Sequence, residues 1–185
     1  MQSVIARETR LPSQAQGALS TAEFYFKAQA QADGSTPDLL IQVPIKQVLD
    51  QSLSHSRTFL LRVGGYINAQ AGTTPDFQVR LDAGNDAAFA NNTTIADSGS
   101  IVLDNDTTRQ SFFLEAELLL SPNDSKLQGL FRGWVNNTAV AQTVLVESVE
   151  DLIAGGVLYF KVSGQMSESI ASQTAVVTFF EVVAG

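Results

Sequence analysis

The feature that most constrains this chain is the alternation of apolar and polar residues, in short segments broken by turn residues. In FQVRLDAG, Phe77, Val79 and Leu81 point one way while Gln78, Arg80 and Asp82 point the other. In SFFLEAELLL, Phe112, Leu114, Ala116, Leu118 and Leu120 share a face, opposed by Glu115 and Glu117. In TFLLRVGGYIN, Phe59, Leu61 and Val63 share one. Successive side chains of a strand leave opposite faces, so a period of two marks a half-buried strand. One-sided alternation of this kind suits antiparallel sheets with one buried and one solvated face.

The remaining strand segments follow the same pattern. They are EFYFKA (23–28), LLIQV (39–43), TIADSGSIVLD in two pieces around Ser98-Gly99, KLQGLFRGWVN (126–136), TVLVESV (143–149), VLYFKVSGQM (157–166) and AVVTFFEVV (175–183). Pro44 cannot donate to a ladder and ends its segment, while Gly129 and Gly133 mark bulges or close backbone approach in a broken strand. Ile45, Val48 and Leu49 fall at i, i+3, i+4, the spacing of a short helical turn over 45–52. About nine or ten short strands with turn signals between them predict an all-β, antiparallel β-sandwich, with a jelly roll the expected topology.

Residues 1–20 alternate neither at period two nor at helical period and read either as a frayed terminus or as an extended N-terminal arm that orders against a partner, leaving 21–185 as the sandwich domain. A chain of 185 residues fits one such domain. With 11 Lys and Arg against 19 Asp and Glu, the net charge is −8. That argues against nucleic acid, since neutralising phosphates needs clustered cations. No apolar run approaches the ~20 residues that span a bilayer, and the start, MQSVIARETRLP, lacks a signal-peptide core, so no membrane partner is expected.

The inventory of chemical groups is sparse. The absence of cysteine excludes disulfides, thiolate metal sites and a cysteine nucleophile. His55 is the one histidine, flanked by serines in QSLSHSRTF. Adjacency in sequence does not build a nucleophile–base pair, and no G-x-S-x-G elbow accompanies it, so it reads as a solvated loop residue. Without a histidine cluster no zinc or iron site is expected. Glu115 and Glu117 lie about 7 Å apart on one strand face, a spacing glycosidase carboxylates use, but charges at i and i+2 are the ordinary look of a solvated face. Asp82, Asp86, Asp104 and Asp106 sit in turn-like stretches that do not match a calcium loop and read as Asx-turns. The sequons at Asn92, Asn105 and Asn136 read as Asn/Thr-rich turns. Trp134, in FRGWVNNT, reads as a strand-end or subunit-contact aromatic, with a sugar-stacking platform as the alternative. No catalytic residue, cofactor or metal is expected.

The order of the strand motifs adds a second line of inference. LLIQVPIKQVL is followed by FLLRVGGYIN, then FQVRLDAG, TIADSGSI, SFFLEAELLLSPNDSKLQGLFRGWV and a closing pair of apolar strands. Over roughly residues 38–183 this series resembles the trimeric jelly-roll virion proteins of tailed bacteriophages, of the capsid decoration (cement) or head-fibre type. IADSG and LEAEL in that order are its most telling parts, and NDAAFANN (85–92) reads as an insertion. The resemblance implies a non-enzymatic structural protein, made in the host cytoplasm, that binds the major capsid protein on the outer surface of the head as a homotrimer and stabilises the shell. The alternative is a receptor- or glycan-binding head module of a tail fibre. Val4, Ile5, Arg7, Arg10 and Leu11 are the expected capsid contacts of the arm. In AVVTFFEVV both faces are apolar, so Val176, Phe180 and Val182 are expected to meet a neighbouring subunit, with cover by the arm as the alternative, and deleting residues 1–20 is expected to leave fold and trimer intact.

Overall fold

The computed structural model describes residues 6–10, 13–16, 24–25, 40–43, 57–68, 72–84, 92–104, 109–121, 126–147, 158–167 and 174–184. Every regular element among them is a strand. In chain order they are β1 (Ala6–Arg10), β2 (Ser13–Gln16), β3 (Phe24–Tyr25), β4 (Leu40–Val43), β5 (Arg57–Asn68), β6 (Asp76–Gly84), β7 (Asn92–Asp97), β8 (Ile101–Val102), β9 (Arg109–Ser121), β10 (Lys126–Val135), β11 (Thr138–Val146), β12 (Leu158–Met166) and β13 (Thr174–Ala184). The helical turn expected over 45–52 lies outside the described residues, as do His55, Asp86 and Asp106.

All pairings among these strands are antiparallel, in two sheets. The seven-stranded sheet runs from β1 and β2, both on the edge of β13, through β13, β5, β9 and β10 to β11. The six-stranded sheet has β3 and β4 on one edge of β12, then β6, then β7 and β8. The chain passes back and forth between the sheets as it proceeds, which makes a jelly-roll β-sandwich.

Alternation places the core. Phe59, Leu61 and Val63 of β5, Leu114, Ala116 and Leu118 of β9, Phe77, Val79 and Leu81 of β6, and Phe160 and Val162 of β12 all belong to one buried cluster between the sheets. Rings meet across the gap, Phe59 with Phe160 at 5.5 Å and Phe77 with Phe112 at 6.0 Å between centroids. The IADSG segment has a structural task. The Ser98 N–H donates to the Val79 carbonyl, and Ser98 Oγ accepts from the Val79 N–H, both at 2.9 Å. Gly99, at φ 69°, donates to Asp97 Oδ1 at 2.7 Å and closes an Asx-turn between β7 and β8.

Three expectations change. First, β10 is not broken, because its register with β9 and β11 runs uninterrupted from 127 to 135. Its glycines are there for close approach: a Cβ at Gly129 would sit 1.9 Å from the Glu117 carbonyl oxygen, and one at Gly133 1.9 Å from that of Phe113. Second, Asp82 does not lie in a turn but within β6, where it is buried, and the sequon at Asn92 lies in β7, not in a turn. Third, β13 contains a bulge. The register steps from Val177 opposite Gly65 to Phe179 opposite Gly64, and the Thr178 hydroxyl donates to the Gly64 carbonyl at 3.0 Å. The extra residue shifts the phase, so Val177, Phe180 and Val182 all join the core. Phe180 and Val182 are therefore buried within the single chain and unavailable as trimer contacts, and Val176, on the other face, is buried as well.

The start of the chain is paired. Residues 6–10 lie opposite 180–184 and residues 13–16 opposite 174–177, so β1 and β2 together edge β13. Arg7 and Arg10 fall in β1; Val4, Ile5 and Leu11 lie outside the described residues.

Candidate functional site

The side of the seven-stranded sheet turned away from the core should be polar if it faces water alone. It is not. Cross-strand register sorts its residues into rows running from β13 through β5, β9 and β10 to β11. One row reads Glu181, Arg62, Glu115, Arg132, Ala141. The next, on one side, reads Phe179, Gly64, Phe113, Trp134, Ala139, and on the other Val183, Leu60, Glu117, Leu130, Thr143. Beyond that come Thr58, Leu119, Gln128 and Leu145. An alternating row of charges thus separates an aromatic row from a leucine-rich field.

Two guanidinium groups serve three carboxylates here. Arg62 Nε donates to Glu115 Oε2 at 2.8 Å and its Nη1 lies 3.8 Å from Glu181 Oε2. Arg132 Nη2 donates to Glu115 Oε1 at 3.0 Å and to Glu117 Oε1 at 3.3 Å. The hydrogen bond from Arg62 is the main reason the Glu115 carboxyl titrates below its ordinary range; partial burial opposes this and Arg132 reinforces it. The bond to Glu115 likewise raises Arg132. A glycosidase general acid needs the opposite shift, a raised pKa. Glu115 is a fixed acceptor between two guanidinium groups, not the solvated carboxylate its sequence position suggests.

The aromatic row depends on a glycine. Phe113 stacks on Trp134 at 5.0 Å between centroids and meets Phe179 at 6.1 Å. Phe179 reaches across β5 because Gly64 has no side chain; a Cβ there would lie 2.5 Å from the Phe179 ring. On the other flank, Leu60, Leu119, Leu130, Leu145 and Val183 line an open groove of about 720 Å³. Trp134, Leu130 and Leu145 are 44%, 50% and 54% exposed. Asn136 and Asn137, with φ of 45° and 62°, turn β10 into β11 and so align the two strands that carry these residues. Both central residues with positive φ make the two-residue hairpin turn that matches strand twist. Among the described residues no group of three or more metal-ligating side chains converges.

Of the residues that sequence singled out for contact, Trp134 and Val176 fall on this face, and Val176 is buried. Phe113, Phe179, Leu130, Leu145, Arg62 and Arg132 come together only through register between distant strands.

No protein-family model matches the chain, and no curated protein matches it by sequence. Among solved structures it is similar to peanut lectin with a nine-residue peptide, at 8% identity and TM-score 0.44 over 97% of both chains. It is similar too to lectin UEA-II complexed with galactose, at 9% identity and TM-score 0.45 over 99% of this chain and 100% of that one. Likeness at this level bears on neither ligand nor descent, and the architecture rests on the strand register itself.

Proposed function

We propose that the chain is a non-enzymatic capsid decoration protein of a tailed phage, which assembles as a homotrimer through the outer face of its seven-stranded sheet and stabilises the head by binding the major capsid protein. The virion role comes from the resemblance of the strand motifs. The observation that carries the assembly surface is the leucine field around exposed Leu130 and Leu145, with exposed Trp134 across the charged row on the same sheet face. Contiguous exposed apolar surface marks an interaction site in a folded protein. The intervening charges already hold their partners, so burying this face strands no unpaired ion. Multivalency then lets modest contacts to the shell suffice, because the second and third engagements become intramolecular.

Sedimentation equilibrium tests the assembly. The full chain is expected to run as a trimer, and the double change Leu130→Asp, Leu145→Asp as a 19.8 kDa monomer. A wild-type monomer at micromolar concentration overturns the trimer. Electron microscopy of particles tests the role: density for the protein on the head surface is expected, and density confined to the tail tip overturns decoration. The exposed indole of Trp134, stacked on Phe113, favours a second reading as a receptor- or glycan-binding module. Glycan binding lost in Trp134→Ala, with the trimer retained, would select it.

A further inference from the structure

The six-stranded sheet has its own anomaly, on the face turned away from the core. Gln78, Arg80 and Asp82 of β6 and Lys161, Ser163 and Gln165 of β12 share that face by alternation, opposite the core residues Phe77, Val79, Leu81, Phe160 and Val162. Polar residues there should meet water. Yet Asp82, Lys161 and Ser163 are 0%, 1% and 0% exposed. Lys161 and Asp82 stand directly opposite each other in the β6–β12 pairing, and Lys161 Nζ lies 3.3 Å from Asp82 Oδ2. On the far side of Asp82 is Thr94, whose hydroxyl accepts from Arg80 Nη2 at 2.6 Å.

An enclosed ion pair is weak support for a fold, because desolvating both ions offsets most of their attraction. The same arrangement is a good one for chemistry. It holds the Lys161 nitrogen 3.3 Å from a carboxyl oxygen of Asp82, on directly paired neighbouring strands, with both side chains buried. We infer that Lys161 and Asp82 are the two halves of an isopeptide cross-link that joins β12 to β6 once the chain has folded.

The step balances with the groups present. A proton passes from the Lys161 ammonium to the Asp82 carboxylate, leaving an amine and a carboxylic acid. The Nζ lone pair attacks Cγ, and the tetrahedral carbon then expels its hydroxyl, which leaves as water with a proton from the nitrogen. One C–N bond forms, one C–O bond breaks, and one water is released. Nothing is oxidised or reduced and no co-reactant enters. The rate comes from placement: groups oriented within one molecule reach effective molarities of about 10⁵–10⁸ M. Exclusion of water from the site disfavours the reverse hydrolysis. The bond would close a loop that contains β7 and β8 of the six-stranded sheet and β9, β10 and β11 of the seven-stranded one.

Intact-mass spectrometry of the purified full chain under denaturing conditions tests this. The wild type is expected to be lighter than its sequence by one water, and a proteolytic map to contain a branched peptide joining residues 82 and 161. K161R retains the charge but cannot form the amide, and is expected at its full sequence mass. A wild type at full mass overturns the inference. So does a water loss without the branched peptide, or one that persists in K161R. If K161R does not accumulate as folded protein, the wild-type mass and map decide by themselves.

Discussion

Replacing Glu115 by glutamine keeps the size of the side chain and one acceptor oxygen but removes the charge that two arginines share. The carboxylate is 14% exposed, while Arg62 and Arg132 are 41% and 54% exposed. A hydrogen bond to a charged group contributes about 1.5–3 kcal/mol when well shielded. Contacts whose partner reaches solvent fall to about 0.2–1 kcal/mol each, so two of them give about 0.4–2 kcal/mol for Glu115→Gln. Glu117→Gln is the control: its carboxylate is 57% exposed and has one contact in the ladder at 3.3 Å, so the loss should stay within about 0.5 kcal/mol. Urea melts at neutral pH read both. The pH dependence supplies a second check. The folded-state pKa of Glu115 is depressed, so its contribution is full above the unfolded pKa of about 4.3 and is lost as pH falls through the lower folded value. The gap between wild type and Glu115→Gln should therefore close in acid. A gap at neutral pH no larger than that of Glu117→Gln would refute the ladder. So would a gap that persists or widens in acid.

Two further perturbations probe the backbone. Gly129→Ala forces a Cβ to 1.9 Å from the Glu117 carbonyl, on rigid backbone, and should lower stability by about 1–3 kcal/mol in urea melts; a neutral result would mean β9 and β10 do not pack at this distance. Deleting residues 1–20 removes the strands that pair along β13, so the melting temperature should fall and light scattering should rise as the bare edge recruits other chains. An unchanged melt with no aggregation would restore the reading of residues 1–20 as a free arm.

Much of the sandwich was legible because one-sided alternation carries both the element and its face. β5, β6 and β9 orient as their sequences predict, with Phe77, Val79, Leu81, Leu114 and Leu118 inside. Where a local device shifts the count, the same rule misleads. A single bulged residue, Thr178, moves Phe180 and Val182 onto the face of Val177 and turns an expected contact surface into core. The Asn136-Asn137 turn was legible as an Asn/Thr-rich turn, since paired residues that tolerate positive φ mark hairpins. Phe113, Trp134 and Phe179 are far apart in sequence, and only the register of β9, β10, β5 and β13 makes them one row. Asp82 and Lys161 carry the outward parity of solvated residues. Their burial depends on what packs outside the sheet, which period-two patterning does not encode.

The ladder on the seven-stranded sheet also explains how so acidic a chain could press a face against its own copies. At a net charge of −8, neighbouring copies repel, but salt screens charges beyond about 8 Å at physiological ionic strength. What opposes assembly is therefore charge in or beside the contact, not the total. Of only 11 Lys and Arg residues, two stand in this one row, Arg62 and Arg132, spaced so that each carboxylate of the row has a guanidinium beside it. The row can then be dehydrated as a unit with its charges paired, while the leucines and aromatics on its flanks supply the gain from burial. Without either arginine, Glu115 would be left short of a partner at the centre of the face, and breaking a shielded pair in this way costs more than the pair contributes. Pairing of each carboxylate with a guanidinium lets this face be covered without leaving an ion unpartnered.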